Sequence, residues 1–282
     1  MHLAAPSAVA PQSADDLASD YLDLLERALT HTLYSPTDVD VQGRRSMRRL
    51  KNVMRRRGII AMFGSPQDAA NRDEGRDWPI FAQTMMGCRR MSNLRACVER
   101  VLADGIQGDL IEAGVWRGGA GILMRGILRA YGILDRDVWV ADSFAGLPRP
   151  DAAGHPADAD ADWHEWSQLA VTRAEVEENY KRYGLLDERV HFLEGWFSET
   201  LPSVSDRNWS IVRLDGDMYG STMDALAGLY PGLTVGGFVI VDDYFALEPC
   251  RQAVDDYRAQ HGITESIQRI DWTGAFWRRE HR

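Results

Sequence analysis

The stretch DLIEAGVWRGGAGILMR, residues 109–125, runs from a short apolar strand pattern through a glycine-rich turn into an apolar helical pattern. Strand, turn and helix in that order form half of a β-α-β unit, and the surrounding sequence repeats it. Asp109–Val115, Asp137–Asp142, Val190–Leu193, Trp209–Leu214 and Phe238–Asp242 are predicted strands. Helical spacing occupies 119–131, 173–183, 221–230 and 248–260 between and after them. The alternation predicts an α/β, Rossmann-like, doubly wound and mostly parallel sheet. Two further short strands in 264–279 (ESIQRI, AFWRR) bring the count to seven and suggest an antiparallel edge.

Outside this unit the character changes. Residues 1–19 read as a flexible tail, with neither the basic start nor the continuous apolar core of a secretory signal. Residues 20–34 carry Leu22, Leu25, Leu29 and Leu33 at helical spacing, and 81–103 holds one or two more helices. Together with the polar, basic stretch 35–78, read as an arm or lid, they make an N-terminal helical extension over 20–104. The α/β unit itself occupies 105–282. Residues 145–170, rich in Pro, Ala and Asp, interrupt it as an insertion over one end of the sheet.

Composition narrows the function. The 282 residues carry 32 Lys+Arg against 42 Asp+Glu, a net charge of -10. Eight of the bases lie in 44–57, which leaves 24 bases against 42 acids elsewhere, or -18. So acidic a chain is a poor nucleic-acid binder outside that one segment. No stretch approaches the ~20 apolar residues needed to span a bilayer, and a cytoplasmic protein is expected. Cys88, Cys97 and Cys250 form no C-x-x-C pair and read as small core residues.

The turn at 114–119 lets backbone approach a ligand closely, at the carboxyl edge where open α/β sheets bind small molecules. Gly114 is followed by glycine only at 118 and 119, so the spacing is not that of a dinucleotide site, and no Lys-Ser/Thr of a phosphate loop follows. Asp215 and Asp217 end the fourth strand and Asp242 and Asp243 the fifth, on the same edge. Four carboxylates so close raise one another's pKa, and a cation relieves them. Oxygen ligands without a His/Cys cluster point to Mg²⁺ or a similar hard ion. Helix capping by Asp is the alternative, and it accounts for one or two of the four.

The pattern E-x-G-x-x-x-G-G followed by Asp142 resembles the S-adenosylmethionine site of class I methyltransferases. Joined with TMMGCRRMSNL (84–94), VWVADSFAGLP (138–148), LDGDMYGSTMDAL (214–226), GGFVIVDDY (236–244) and CRQAVDDYR (250–258), it resembles the macrocin O-methyltransferase family, metal-dependent sugar O-methyltransferases of antibiotic biosynthesis. The resemblance implies a class I methyltransferase fold, S-adenosyl-L-methionine, Mg²⁺, a deoxysugar hydroxyl on a small-molecule glycoside as acceptor, and a homo-oligomer. It implies that Asp215, Asp242 and Asp243 hold the metal and that Asp217 or Asp215 takes the proton. Thr84 and Met85 match an N-terminal contact to the cofactor, and Glu112, Gly114, Trp116, Arg117, Gly118 and Gly119 match contacts at its methionine end. Asp142 matches the ribose acid, with Ser143 after it, and Gly195, Trp196 and Phe197 match the adenine wall. His164 and Trp163 of the insertion, with Tyr219 and Tyr244, are candidate acceptor contacts. Trp163 and Trp166 suit a sugar ring or a loop anchor equally. The Arg-rich run has no counterpart in the resemblance. A catechol-type phenol is the alternative acceptor, and an RNA-binding arm on a nucleic-acid methyltransferase is the remote alternative function.

Overall fold

The structure, a computed structural model, describes residues 13–33, 69–77, 81–151 and 153–281. The basic run 44–57 lies outside the described residues. Helix α1 (Ala14–Leu29) starts inside the expected tail and not at residue 20, because Ser13 and Asp16 form a reciprocal capping box ahead of the apolar stripe. Its Ala18, Leu22, Leu25 and Leu29 are buried. A short α2 (Ala69–Glu74) leads to α3 (Cys88–Ala103), the one helix formed by the 81–103 pattern.

The sheet follows. Strands β1 (Asp109–Ala113), β2 (Val138–Asp142), β3 (Val190–Glu194), β4 (Trp209–Leu214) and β5 (Leu233–Val241) are parallel, in the spatial order β3-β2-β1-β4-β5. Helices α4 (Gly119–Ala130), α5 (Arg173–Arg182), the single turn α6 (Phe197–Thr200), α7 (Tyr219–Leu229) and α8 (Glu248–His261) connect them. β7 (Ala275–Arg278) adds antiparallel to β5, and β6 (Gln268–Arg269) pairs antiparallel with β7. The expected antiparallel edge is therefore one strand in from the edge, and β6, outermost, runs with the parallel strands.

β5 begins five residues before the expected Phe238, at Leu233. Gly236 and Gly237 interrupt its apolar pattern as a bulge, where the register with β4 shifts between Trp209 and Ile211. β1 and β4 are buried on both faces, as their near-continuous apolar runs require. One core lies between the sheet and α1, α3, α4 and α5, and a second between the sheet and α7 and α8. Cys97 and Cys250 are buried in these cores, while Cys88 is only partly covered. No helix among the described residues is long and apolar enough to cross a membrane.

Candidate active site

The strand order reverses between β1 and β4, so the crevice for a ligand opens there, at the carboxyl ends of the strands. Register puts Ala113 beside both Ala141 and Leu214, and Leu214 beside Val241. The next residues, Gly114, Asp142, Asp215 and Asp242, thus emerge in one row. Gly114 has φ +89°, and a Cβ there would lie 1.9 Å from the Asp215 carbonyl oxygen. Only glycine lets β1 leave the sheet that close to β4.

A cavity of about 280 Å³ opens over this row. Met85, Gly114, Trp116, Asp142, Ser143, Gly195, Trp196 and Phe197 line it, as do Asp215 and Asp217. The Asp142 carboxylate is aimed by the N–H groups of Val115 and Phe144, each 2.7 Å away. Burial pushes its pKa up against those donors. Ser143 accepts from Ala145 N–H and donates to the Gly146 carbonyl, shaping the loop after β2. Trp196 remains 38% exposed at the mouth, an unusual position for an indole unless a flat group covers it.

Other expected contacts stand back from this cavity. Thr84 and Glu112 line a smaller cavity beside it, together with Met85, Trp116, Gly119 and Arg213. The two oxygens of Glu112 are engaged, by Gly121 N–H at 2.8 Å and Arg213 Nη1 at 2.7 Å. Arg117 and Gly118 line neither cavity: Arg117 donates to the Ala82 carbonyl at 2.9 Å and stacks over Trp116, and Gly118 packs on Val176 and Tyr180. They shape the turn from behind.

The acceptor candidates need the largest correction, since Trp163, His164, Tyr219 and Tyr244 do not line the large cavity. The Tyr219 and Tyr244 hydroxyls donate to Asp256 and Asp255 of α8, which hold both rings away from it. The insertion instead lines it with Arg149, Asp151, His155 and Asp158, and α7 contributes Gly220, Ser221 and Asp224. His191 behaves as a structural histidine, stacked on Trp139 at 4.3 Å and hydrogen-bonded to Asp137 at 2.9 Å.

At the β4–β5 end the acids converge. Asp215, Asp242 and Asp243 each present a ligand oxygen within 4.8 Å of the others. Two arginines that the sequence reading passed over sit among them. Arg213, 1% exposed inside β4, donates to Glu112 at 2.7 Å, Asp215 at 2.9 Å and Asp242 at 2.7 Å. Arg90 of α3 bonds the other oxygen of Asp242 and donates to Asp271 at 2.9 Å. Burial opposes ionisation of Asp242, but Arg90 and Arg213 overcome it and hold its carboxyl below the usual range.

Among the described residues, no arginine bonds Asp217 or Asp243 directly. Burial, then the charge of Asp215, pushes Asp217 up to about 7, and burial with the charge of Asp217 pushes Asp243 well above its ordinary range. The four-acid crowding expected from the sequence is therefore half relieved by arginine. An oxygen-only set with two unneutralised carboxylates suits a hard divalent cation.

A mixed, mostly parallel sheet in the order 3-2-1-4-5-7-6 with β7 antiparallel, an acid ending β2 and a glycine turn at the reversal define a class I S-adenosylmethionine-dependent methyltransferase. The model of the macrocin-O-methyltransferase (TylF) family matches residues 18–279, and the chain belongs to that family. It is 48% identical over 265 residues, 94% of each chain, to the 8-demethyl-8-(2,3-dimethoxy-alpha-L-rhamnosyl)-tetracenomycin-C 4'-O-methyltransferase of Streptomyces olivaceus. It is 44% identical to the mycinamicin III 3''-O-methyltransferase of Micromonospora griseorubida, over 92% of this chain and 96% of that one. Among solved structures, the O-methyltransferase NovP superposes with a TM-score of 0.81 at 44% identity, covering 94% of this chain and 100% of that one. The calicheamicin methyltransferase CalS11, at 15% identity and a TM-score of 0.56 over 96% of this chain and 98% of that one, shares the fold. The chain is an S-adenosylmethionine-dependent O-methyltransferase.

Proposed function

We propose that this enzyme methylates a hydroxyl of a deoxysugar carried on a secondary metabolite, with Mg²⁺ or a similar divalent ion held by Asp215, Asp242 and Asp243. The observation that carries the metal is the convergence of oxygens from Asp215, Asp242 and Asp243, with Asp217 beside them and, among the described residues, no arginine bonded to Asp217 or Asp243. The acceptor class rests on the relatives, above all the Streptomyces olivaceus enzyme, whose name describes a rhamnosylated acceptor.

The cofactor, when bound, supplies a methyl already activated on a sulfonium. Asp142 is turned to meet the ribose hydroxyls, Trp196 and Phe197 to flank the adenine, and Met85 and Trp116 to close over the methionine end. The metal, when bound, lowers the pKa of a coordinated hydroxyl. Asp217 faces the cavity and takes the proton, with Asp215 the second candidate, a contribution typically worth 10²–10⁴-fold. A panel of rhamnosylated and other deoxysugar glycosides against catechols, assayed by S-adenosylhomocysteine release, tests the acceptor. Turnover of catechols alone contradicts it, and full turnover in EDTA contradicts the metal.

The acid pair also sets a pH dependence for the metal-free protein. Asp217 titrates near 7 when folded against an ordinary value of 3.8, so the folded state holds the extra proton between those limits. As far as this group acts, stability is therefore fully present below about 3.8, is lost as pH rises to about 7, and levels off above that. Because the ion must displace that proton, Mg²⁺ is expected to raise the melting temperature more at pH 8 than at pH 6. Scanning fluorimetry with and without chelator measures both, and an equal Mg²⁺ shift at the two pH values contradicts the assignment.

A further inference from the structure

Asp158 lies in an otherwise largely exposed part of the insertion, in the turn Pro156–Asp158, yet it is 1% exposed. Its Oδ1 accepts the Tyr219 N–H at 2.7 Å and its Oδ2 the Gly220 N–H at 3.0 Å. These are the first two residues of α7, whose own N-cap residue, Met218, supplies no side-chain acceptor. The insertion thus caps the helix from outside, and the negative charge sits at the positive end of the helix dipole.

What precedes that helix gives the cap its consequence. The chain enters α7 directly from Asp215-Gly216-Asp217, and Asp217 has φ +56°, in the left-handed region. A non-glycine residue is uncommon there and persists where its surroundings over-determine it. Charge-assisted bonds to the two residues just beyond Met218 are such a surrounding.

The same turn brings His155 onto α7. Its ring lies 5.5 Å from that of Tyr219, and a Cβ on Gly220 would come within 2.8 Å of His155 Cδ2. Gly220 is thus the point where insertion and helix meet. His155, Asp158, Gly220 and Asp217 all line the large cavity.

We propose that Asp158 is a positioning residue for proton transfer: by capping α7 from the insertion it holds Asp217 in its left-handed turn, so that the acceptor wall and the proton acceptor are set as one unit. The proposal rests on Asp217 as the base of the proposed reaction. Simple helix capping, the competing account, predicts a loss of stability and nothing else.

The test compares Asp158→Ala, Asp158→Asn and Gly220→Ala with the parent, all with S-adenosylhomocysteine and Mg²⁺ present where binding is read. Asp158→Ala is expected to lower kcat on a deoxysugar glycoside by about 10–100-fold, the scale of a small misplacement of a reacting group. KM and S-adenosylhomocysteine affinity should stay within about two-fold. Hydrogen exchange of the amides of residues 215–218, none of which bonds Asp158, should quicken at least about ten-fold on the ladder of local opening.

Asp158→Asn keeps a carboxamide oxygen for one N–H and should recover most of the kcat. Gly220→Ala, which favours the helix by propensity but collides with His155, should lower kcat without lowering the melting temperature, and it serves if Asp158→Ala fails to fold. An unchanged kcat with a lowered melting temperature overturns the proposal, as does unchanged exchange at 215–218. Should the parent methylate no glycoside, the functional reading fails, while the exchange measurement still decides the role of Asp158.

Discussion

Asp243→Asn is expected to lower turnover by about 10³-fold or more, a loss of roughly 4 kcal/mol of transition-state stabilisation, while S-adenosylhomocysteine still binds with parental affinity. The argument is electrostatic. Asp243 contributes one of three converging oxygens that could hold a metal, and burial with the charges of Asp217, Asp215 and Asp242 outweighs the pull of Arg90 on it. Asparagine keeps the shape and removes the charge that a hard cation needs. The proposed cofactor contacts Asp142, at the end of β2, and Trp196, in the loop after β3, are left as they were.

The same substitution has an opposite effect on stability. In the metal-free protein Asp243 is one of several crowded carboxylates, so neutralising it relieves repulsion. The melting temperature in EDTA should equal or exceed that of the parent, and Mg²⁺ should no longer raise it. Calorimetric titration with S-adenosylhomocysteine and with Mg²⁺, beside single-turnover assays, separates these effects. Retained Mg²⁺ binding with lost activity contradicts the ligand role.

Arg213→Met should have the largest effect on folding. One guanidinium, 1% exposed, serves Glu112, Asp215 and Asp242, and methionine leaves all three carboxylates without it. Removing one partner of a buried ion pair costs about 3–5 kcal/mol, which for a chain of this size corresponds to a fall of roughly 10 °C in melting temperature. Arg213→Lys should recover only part, because one ammonium cannot bond three carboxylates in fixed directions. Urea unfolding at pH 7 in EDTA measures the difference. A loss under about 1 kcal/mol would show that the three acids are protonated or otherwise satisfied.

The two expectations separate what the acids do from what holds them. Asp242 is kept ionised by arginine, whereas burial and neighbouring charge push Asp215, Asp217 and Asp243 up, and a cation acts on the protonation of those three. The charge reasoning from sequence took all four as equivalent, because the strand ends were visible and the arginines were not seen as their partners. A signal for Arg213 was present, since a lone charged residue within WSIVRL, a run buried on both faces, requires buried counter-charges. Arg90 gave less warning: it sits in a helix whose polar residues look solvent-facing, and its partner Asp271 is 181 positions away in sequence.

Sequence by itself determined the order of elements, the turn at Gly114 and the row of acids, because strand ends and glycine turns are local features written in neighbouring residues. Asp142, Ser143 and Gly195–Phe197, named from the motifs, all line the large cavity. Only the tertiary structure decided which insertion residues face that cavity. The loop 145–170 has no period from which a facing side can be read, so His164 and Trp163 were as good as His155 until the chain was folded. The hydroxyls of Tyr219 and Tyr244 were claimed by Asp256 and Asp255 across a packed helix pair. Asp158 reaches α7 across 61 positions of sequence, a bond that comes into being only when insertion and catalytic loop share one edge of the sheet.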